Sequence, residues 1–498
     1  MGAVVKTAHG ELRGTEVDGV HAFLGIPYAA PPVGPFRLRP PQPVEPWDGV
    51  RDATEHGPTP PQVAAPEAAG TEWDTGVTGD DYLLLNVWTP DPATSRLPVM
   101  VWIQGGGFEI SSTAAYDGRH FARDGAVCVV INWRVGVDGF LYLDDGTANV
   151  GLLDQVAALE WVRDNIGAFG GDPGNVTVFG ESAGAMSIGT LLGMPRADGL
   201  FRRAILQSGA AHHVSSSETA AEIGRYLADK LGVAPSREAI AAVPLERVLE
   251  AQAAVTADFI AHPGWTFGGT DAVLTMPWQP VVDGDVLPGH PLERVAAGGA
   301  GQVDLLVGTN TDDWKMFLVL TGEIGQITDE MLEGSLDVHG RRAVEAFGLP
   351  VESALAAYRA RYAGASPGDI LAAVHTDWWV RIPALRLADA HAGAEAATYM
   401  YEFAWAAPGL GAVHALEVPF VFDSLGKDAP LFGPLIGDTA PQELADTMHA
   451  AWIAFARTGD PGWPRYDLTR RATMRFDVSS RVVDDPRSWE RGLWEGLR

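Results

Sequence analysis

Cysteine is almost absent from this 498-residue chain: the only one is Cys128. A single thiol forms no intramolecular disulfide, so packing must hold the fold, as suits a reducing compartment. Cys128 lies in the apolar run Ala126–Ile131, where it reads as a small core residue of a buried strand rather than a reactive thiol. Lysine is nearly as scarce, occurring only at Lys6, Lys230, Lys315 and Lys427. The 35 Lys and Arg face 64 Asp and Glu, for a formal net charge of −29. That acidity repels phosphate backbones and anionic membranes, so neither nucleic acid nor a membrane is expected as a partner. No apolar stretch reaches the roughly 20 residues of a membrane span. The first ten residues show no basic segment followed by an apolar one. A soluble, cytoplasmic protein is expected. No Cys/His cluster shows metal-site spacing.

What the chain does contain is ample core material, 46% of its residues being hydrophobic. Strand-like and helix-like segments alternate along it, which predicts one large α/β unit over residues 1–498. Residues 1–30 alternate apolar and polar around Gly10 and Gly19 and read as a hairpin or meander; residues 31–80, rich in Pro and Gly, read as surface loop. Short apolar runs at Leu83–Trp88, Val99–Ile103, Val127–Asn132, Val176–Phe179, Ala204–Leu206, Leu305–Val307 and Thr398–Phe403 read as strands. Residues 151–167 and 441–457 have helical spacing, and Asp172-Pro-Gly-Asn175 reads as a turn. Helical patterns at about 212–300 and 320–395 interrupt the alternation and predict insertions over a site at the strand ends.

Gly180-Glu-Ser-Ala-Gly184 falls between a predicted strand and a predicted helix. In that setting G-x-S-x-G is a nucleophile turn: a strained bend projects the serine hydroxyl, and the flanking glycines let strand and helix close around it. Upstream, the strand Pro98–Ile103 runs into Gln104-Gly-Gly-Gly-Phe108. Glycines there leave backbone amides free to face a developing oxyanion.

Taken with Phe23-Leu-Gly-Ile-Pro-Tyr-Ala29, Leu85-Asn-Val-Trp88, Asn132-Trp-Arg-Val-Gly136, Asn149-Val-Gly-Leu-Leu-Asp-Gln155, Phe169-Gly-Gly-Asp-Pro173 and Gln207-Ser-Gly209, these segments resemble the type-B carboxylesterase family, which includes cholinesterases and bacterial p-nitrobenzyl esterases. The resemblance covers nearly the whole chain. It implies the α/β-hydrolase fold, a large mixed, mostly parallel sheet flanked by helices. It also implies a serine carboxylesterase acting through an acyl-enzyme, on short-chain or aromatic esters, with no cofactor, as a monomer or small homo-oligomer. Ser182 would be the nucleophile, and Gly106, Gly107 and Ala183 the oxyanion hole.

The fold's chain order places an acid and then a histidine after the serine. The family pattern G-x-N-x-x-E falls on Gly308-Thr-Asn-Thr-Asp-Asp313, so Asp313 stands where glutamate is usual, with Asp312 as its rival. Being one methylene shorter, it needs a loop closer to the histidine. G-x-x-H-x-x-E places His414 as the base. The resemblance further implies that Glu181 and Ser208 support the histidine, and that Arg134 pairs with Asp154 and Arg37 with Asp80. Gln104 replaces the usual His or Tyr, and Tyr82 stands where secreted relatives carry a cysteine. Phe108, Trp265, Phe267, Trp278, Trp314, Phe317, Trp378 and Trp379 are candidates for either pocket wall or core. Two other readings remain open. One is a lipase of long-chain esters. The other is a catalytically inactive, cholinesterase-like binding module, although such modules usually lack the serine or the histidine.

Overall fold

The computed structural model describes residues 2–63, 78–261, 276–333, 351–426 and 433–497. Among these, eleven strands form the main sheet: β1 (Thr15–Val17), β2 (Val20–Pro27), β3 (Leu84–Thr89), β4 (Leu97–Ile103), β5 (Val127–Ile131), β6 (Gly171–Glu181), β7 (Arg203–Gln207), β8 (Asp304–Asn310), β9 (Thr398–Phe403), β10 (Ala472–Phe476) and β11 (Arg481–Asp484). The spatial order is β11-β10-β9-β8-β7-β6-β4-β5-β3-β2-β1. The block from β5 to β10 is parallel, while β11 and the β1–β3 edge run antiparallel.

The apolar runs become strands because both faces of the sheet are covered. Val99, Val101 and Ile103 of β4 join one core cluster, and Met100 and Trp102 join the other. In β5, Val127, Val129 and Ile131 alternate in the same way with Cys128 and Val130. Two-sided burial explains why these strands read as continuous apolar runs rather than alternating ones. Cys128 is buried among them and burial pushes its thiol up, so it acts as core filler.

After β4 the chain moves outward to β5, and then returns to place β6 on the other side of β4. The C-terminal ends of β4 and β6 therefore lie at the switch point of the sheet, where open α/β sheets place their ligands. Ser217–Leu231, Arg237–Ala241, Leu245–Ala261 and Pro291–Ala296 are helices between β7 and β8; Asp329–Glu333, Val351–Arg361, Pro367–Thr376 and Ile382–His391 are helices between β8 and β9.

Two local readings change. Asp172–Asn175 is not a turn ahead of a strand but a bulge inside β6: the pairing jumps from Leu97 opposite Gly171 to Val99 opposite Val176. The Asp172 side chain accepts the Gly174 N–H at 2.9 Å and stabilises the excursion. Within the expected surface loop, Val50–Asp52 forms a short strand paired parallel to Glu11–Arg13.

Of the two implied ion pairs, one forms. Arg134 Nε and Nη2 meet Asp154 at 2.8 and 2.7 Å with both side chains buried, and Nη1 donates to the Arg39 carbonyl at 2.7 Å. Such full satisfaction is what a buried ion pair requires. Arg37 does not pair with Asp80. Its guanidinium faces Asp138 at 3.9 Å and donates to the Ala241 and Val243 carbonyls. The helical insertion supplies those acceptors, so Arg37 ties the first loop to the insertion instead. Tyr82 also turns to Asp138, at 3.4 Å.

Candidate active site

Ser182 sits between β6 and the helix Ala183–Leu191 with φ 55° and ψ −126°, a conformation costly for a residue with a Cβ. The surroundings enforce it. The Ser182 N–H donates to the Gln207 carbonyl at 2.9 Å, and its carbonyl accepts from Met186 at 2.8 Å. A Cβ on Gly180 would lie 2.5 Å from the Ile103 carbonyl oxygen, and one on Gly184 would lie 1.9 Å from it. Both glycines are required because β6 and the following helix press against the end of β4.

The glycine loop meets this bend directly. A Cβ on Gly105 would stand 2.9 Å from the Ser182 Cβ. Gly106 (φ 120°) and Gly107 (φ 61°) follow with backbones that disfavour side chains. The Gly106 carbonyl accepts from Glu109 and Ile110, both at 2.9 Å, which closes the loop on itself. Among the described residues, the N–H groups of Gly106, Gly107 and Ala183 donate to no protein acceptor. Ala183 opens its helix, where amides have no intrahelical acceptor. Gln104 stays local in effect: its Nε2 donates to Ser111 Oγ at 2.7 Å.

The ends of β8 and β9 deliver the acid and the imidazole. His414 Nδ1 lies 2.9 Å from Asp313 Oδ1, and Asp313 is fully buried. The Asn310 N–H fixes the other carboxylate oxygen at 2.9 Å. Asp312 points elsewhere; its Oδ2 accepts the Ala412 N–H at 3.0 Å and so braces the loop that carries His414. The His414 backbone N–H also donates to the Asp313 carbonyl at 3.2 Å, which ties the two loops together. From behind, Arg381 donates to the Thr311 carbonyl at 2.6 Å and Thr376 Oγ1 accepts the Trp314 N–H at 3.0 Å.

Two carboxyl groups meet the imidazole, and a third, Glu417, lies close enough to feel their charges. Glu181 Oε1 lies 2.9 Å from His414 Nε2, a charge contact rather than an aligned hydrogen bond. Burial opposes charge on His414, but Glu181 and Asp313 outweigh it and hold the ring above its ordinary value. Burial raises Glu181 as well. Glu417, fully buried, accepts from Gln207 Nε2 at 3.1 Å and Asn310 Nδ2 at 2.6 Å. Burial, with the charges of Glu181 and Asp313, pushes Glu417 up to about 8, so it keeps its proton at neutral pH. Of the two residues implied to support the histidine, Glu181 reaches it and Ser208 does not bond to it. Glu181 is taken by the imidazole, and the buried Ser208 hydroxyl has no hydrogen-bond partner among the described residues. Glu417, Gln207 and Asn310 were given no role from sequence, although all three lie inside the motifs quoted above.

Aromatic rings lie against the imidazole. Trp379 and Phe317 have ring centres 4.8 and 5.5 Å from that of His414, and Trp314 lies 5.1 Å from Trp379. Phe108 turns instead into the core against Trp133 and Phe140, and Trp278 is buried too. Trp265 and Phe267 lie outside the described residues. No group of three metal-ligating side chains occurs among the described residues. No helix among them is long and apolar enough to cross a membrane.

The model of the carboxylesterase family matches residues 2–488. This chain belongs to the carboxylesterase family. It is a carboxylic-ester hydrolase with the α/β-hydrolase fold. A para-nitrobenzyl esterase of Bacillus subtilis is 37% identical to it over 98% of this chain and 97% of its own length. A phenmedipham hydrolase of Pseudarthrobacter oxydans is 35% identical over 93% and 92%. Among solved structures, a Geobacillus stearothermophilus carboxylesterase superposes with a TM-score of 0.85 at 38% identity, covering 99% of this chain and all of its own. In this esterase the imidazole of His414 lies between Asp313 and Glu181, and Glu181 immediately precedes Ser182.

Proposed function

We propose that this esterase hydrolyses small aromatic esters through an acyl-enzyme, with Ser182 as nucleophile, His414 as base and Asp313 as the acid that orients it. One observation carries the reading: Ser182 is held in a strained bend against the glycine loop, and the imidazole that Asp313 grips also meets Glu181, the residue next to Ser182. As the acyl carbonyl arrives, His414 Nε2 leaves Glu181 and takes the Ser182 proton while Oγ bonds to carbon. The amides of Gly106, Gly107 and Ala183 receive the oxyanion. The tetrahedral intermediate collapses as His414 returns the proton to the leaving alcohol. Water then attacks the acyl-enzyme by the same route and frees the acid. Asp313 stabilises the imidazolium in both halves. The aromatic preference is supported by Phe317 and Trp379 beside the imidazole, with Trp314 packed on both, and by relatives named for para-nitrobenzyl esters and phenmedipham.

A fluorophosphonate probe, followed by peptide mass analysis, is expected to find its adduct on Ser182. A panel of aryl and alkyl esters of increasing acyl length is expected to give the highest kcat/KM for short aryl esters. An adduct elsewhere sinks the nucleophile assignment, and a preference for long emulsified chains points to a lipase.

Glu181 raises the imidazole it touches, and this fixes the sign of a pH effect. The neutral ring is the active base, so kcat/KM climbs as pH rises through the His414 value. Glu181→Gln removes one of the two charges that raise that value. The rising limb is expected to move to lower pH. A pH profile in which it stays put or moves upward contradicts this role.

A further inference from the structure

The glycine loop ends in a carboxylate that the acyl-enzyme chemistry leaves unused. Glu109 follows Phe108, and its N–H helps to close the loop on the Gly106 carbonyl at 2.9 Å. Its side chain leaves the loop for the inserted helix Leu245–Ala261. Gln252 Nε2 donates to one carboxylate oxygen at 3.0 Å, and Thr256 Oγ1 reaches the other at 3.0 Å. The two donors stand four residues apart, on one face of that helix. Gln252 is itself locked: it is buried, and its Oε1 accepts the Val137 N–H at 2.9 Å. A Cβ on Gly136 would lie 2.2 Å from that same Oε1, so the fit there is tight. The Gly136 N–H in turn holds the Phe108 carbonyl at 2.6 Å. Helix, loop and the Gly136–Phe140 turn thus converge on this one carboxylate.

Among the described residues, no counter-charge accompanies it. The inserted helix presents neutral Gln252 and Thr256. In the Gly136–Phe140 turn the titratable side chain is Asp138, which faces Tyr82 and Arg37 instead. Gln104 and Ser111, in the same loop as Glu109, are neutral and bonded to each other. Burial therefore pushes Glu109 up to about 7, against the two hydrogen bonds that favour its charge.

We propose that Glu109 is a positioning residue: its ionised carboxylate clasps the glycine loop to the inserted helix and so keeps the Gly106 and Gly107 amides aimed at the oxyanion. This rests on the oxyanion role proposed above. A carboxylate is the stronger acceptor for both donors. Protonation weakens the clasp, so it is intact above neutrality and is lost as pH falls through the Glu109 value. Because those amides bind most tightly in the transition state, the effect falls on kcat rather than KM.

The test uses the full chain, a soluble aryl ester, and Ser182 counted by fluorophosphonate labelling. Wild-type kcat is expected to show a fall near pH 7, separate from the His414 limb. Glu109→Gln is expected to lower kcat about tenfold to a hundredfold above neutrality, less than the outright loss of an oxyanion donor, with KM nearly unchanged. Its profile should lack the fall near pH 7. Thr256→Val is expected to lower kcat by a smaller factor and to keep that fall; it carries the test should Glu109→Gln fail to fold. Wild-type kcat and an unaltered pH profile in folded Glu109→Gln, with Ser182 fully labelled, overturn the proposal. Unchanged kcat in Thr256→Val also overturns it. Absence of label on Ser182 in the wild type instead overturns the assignment on which the proposal rests.

Discussion

Ser182→Ala is expected to lower kcat by about a millionfold while leaving the protein folded, as loss of the nucleophile does in serine hydrolases with a working triad. Both halves follow from the site. The hydroxyl is the only group at the bend that can bond to an acyl carbon, so nothing nearby replaces it. The bend is held by backbone bonds to Gln207 and Met186 and by Gly180 and Gly184, none of which the substitution touches. Single-turnover and steady-state assays, with circular dichroism as the folding control, measure the two together. Retained turnover in a folded variant removes Ser182 from the mechanism.

Asp313→Asn is expected to cost about 10⁴ in kcat, because an amide favours the wrong imidazole tautomer and no longer stabilises the imidazolium. The neighbouring Asp312→Asn is the informative contrast. Asp312 accepts a backbone N–H from Ala412, and an asparagine oxygen accepts it equally well, so kcat should stay near that of the wild type. The two variants differ by one position in sequence and by orders of magnitude in expected effect. A large loss in Asp312→Asn, with activity kept in Asp313→Asn, reverses the assignment.

That contrast marks where sequence reasoning reached its limit. Period and composition identified the central strands, because two-sided burial writes itself as an unbroken apolar run. The turn motif identified Ser182 because its geometry admits only small residues at Gly180 and Gly184. Beyond this, register in a motif separated Asp313 from Asp312 only weakly, since both are acids on one loop. The packed structure separates them by direction: one oxygen set faces the imidazole and the other faces a backbone amide. Arg37 shows the same limit. The resemblance assigned it Asp80, but it faces Asp138 and donates to carbonyls of an insertion more than two hundred residues away in sequence.

The sequence by itself determined the α/β class, the nucleophile turn, the glycine loop and the family, because each rests on local backbone demands or on a run of neighbouring residues. Only the tertiary structure decided which acid meets His414, that Glu181 joins Asp313 at one imidazole, and that Glu109 binds the glycine loop to an inserted helix. Those outcomes depend on strand ends from four parts of the chain meeting at one edge of the sheet, and burial there sets their charges. No local pattern encodes how far a carboxylate lies from water or from a partner a hundred residues away.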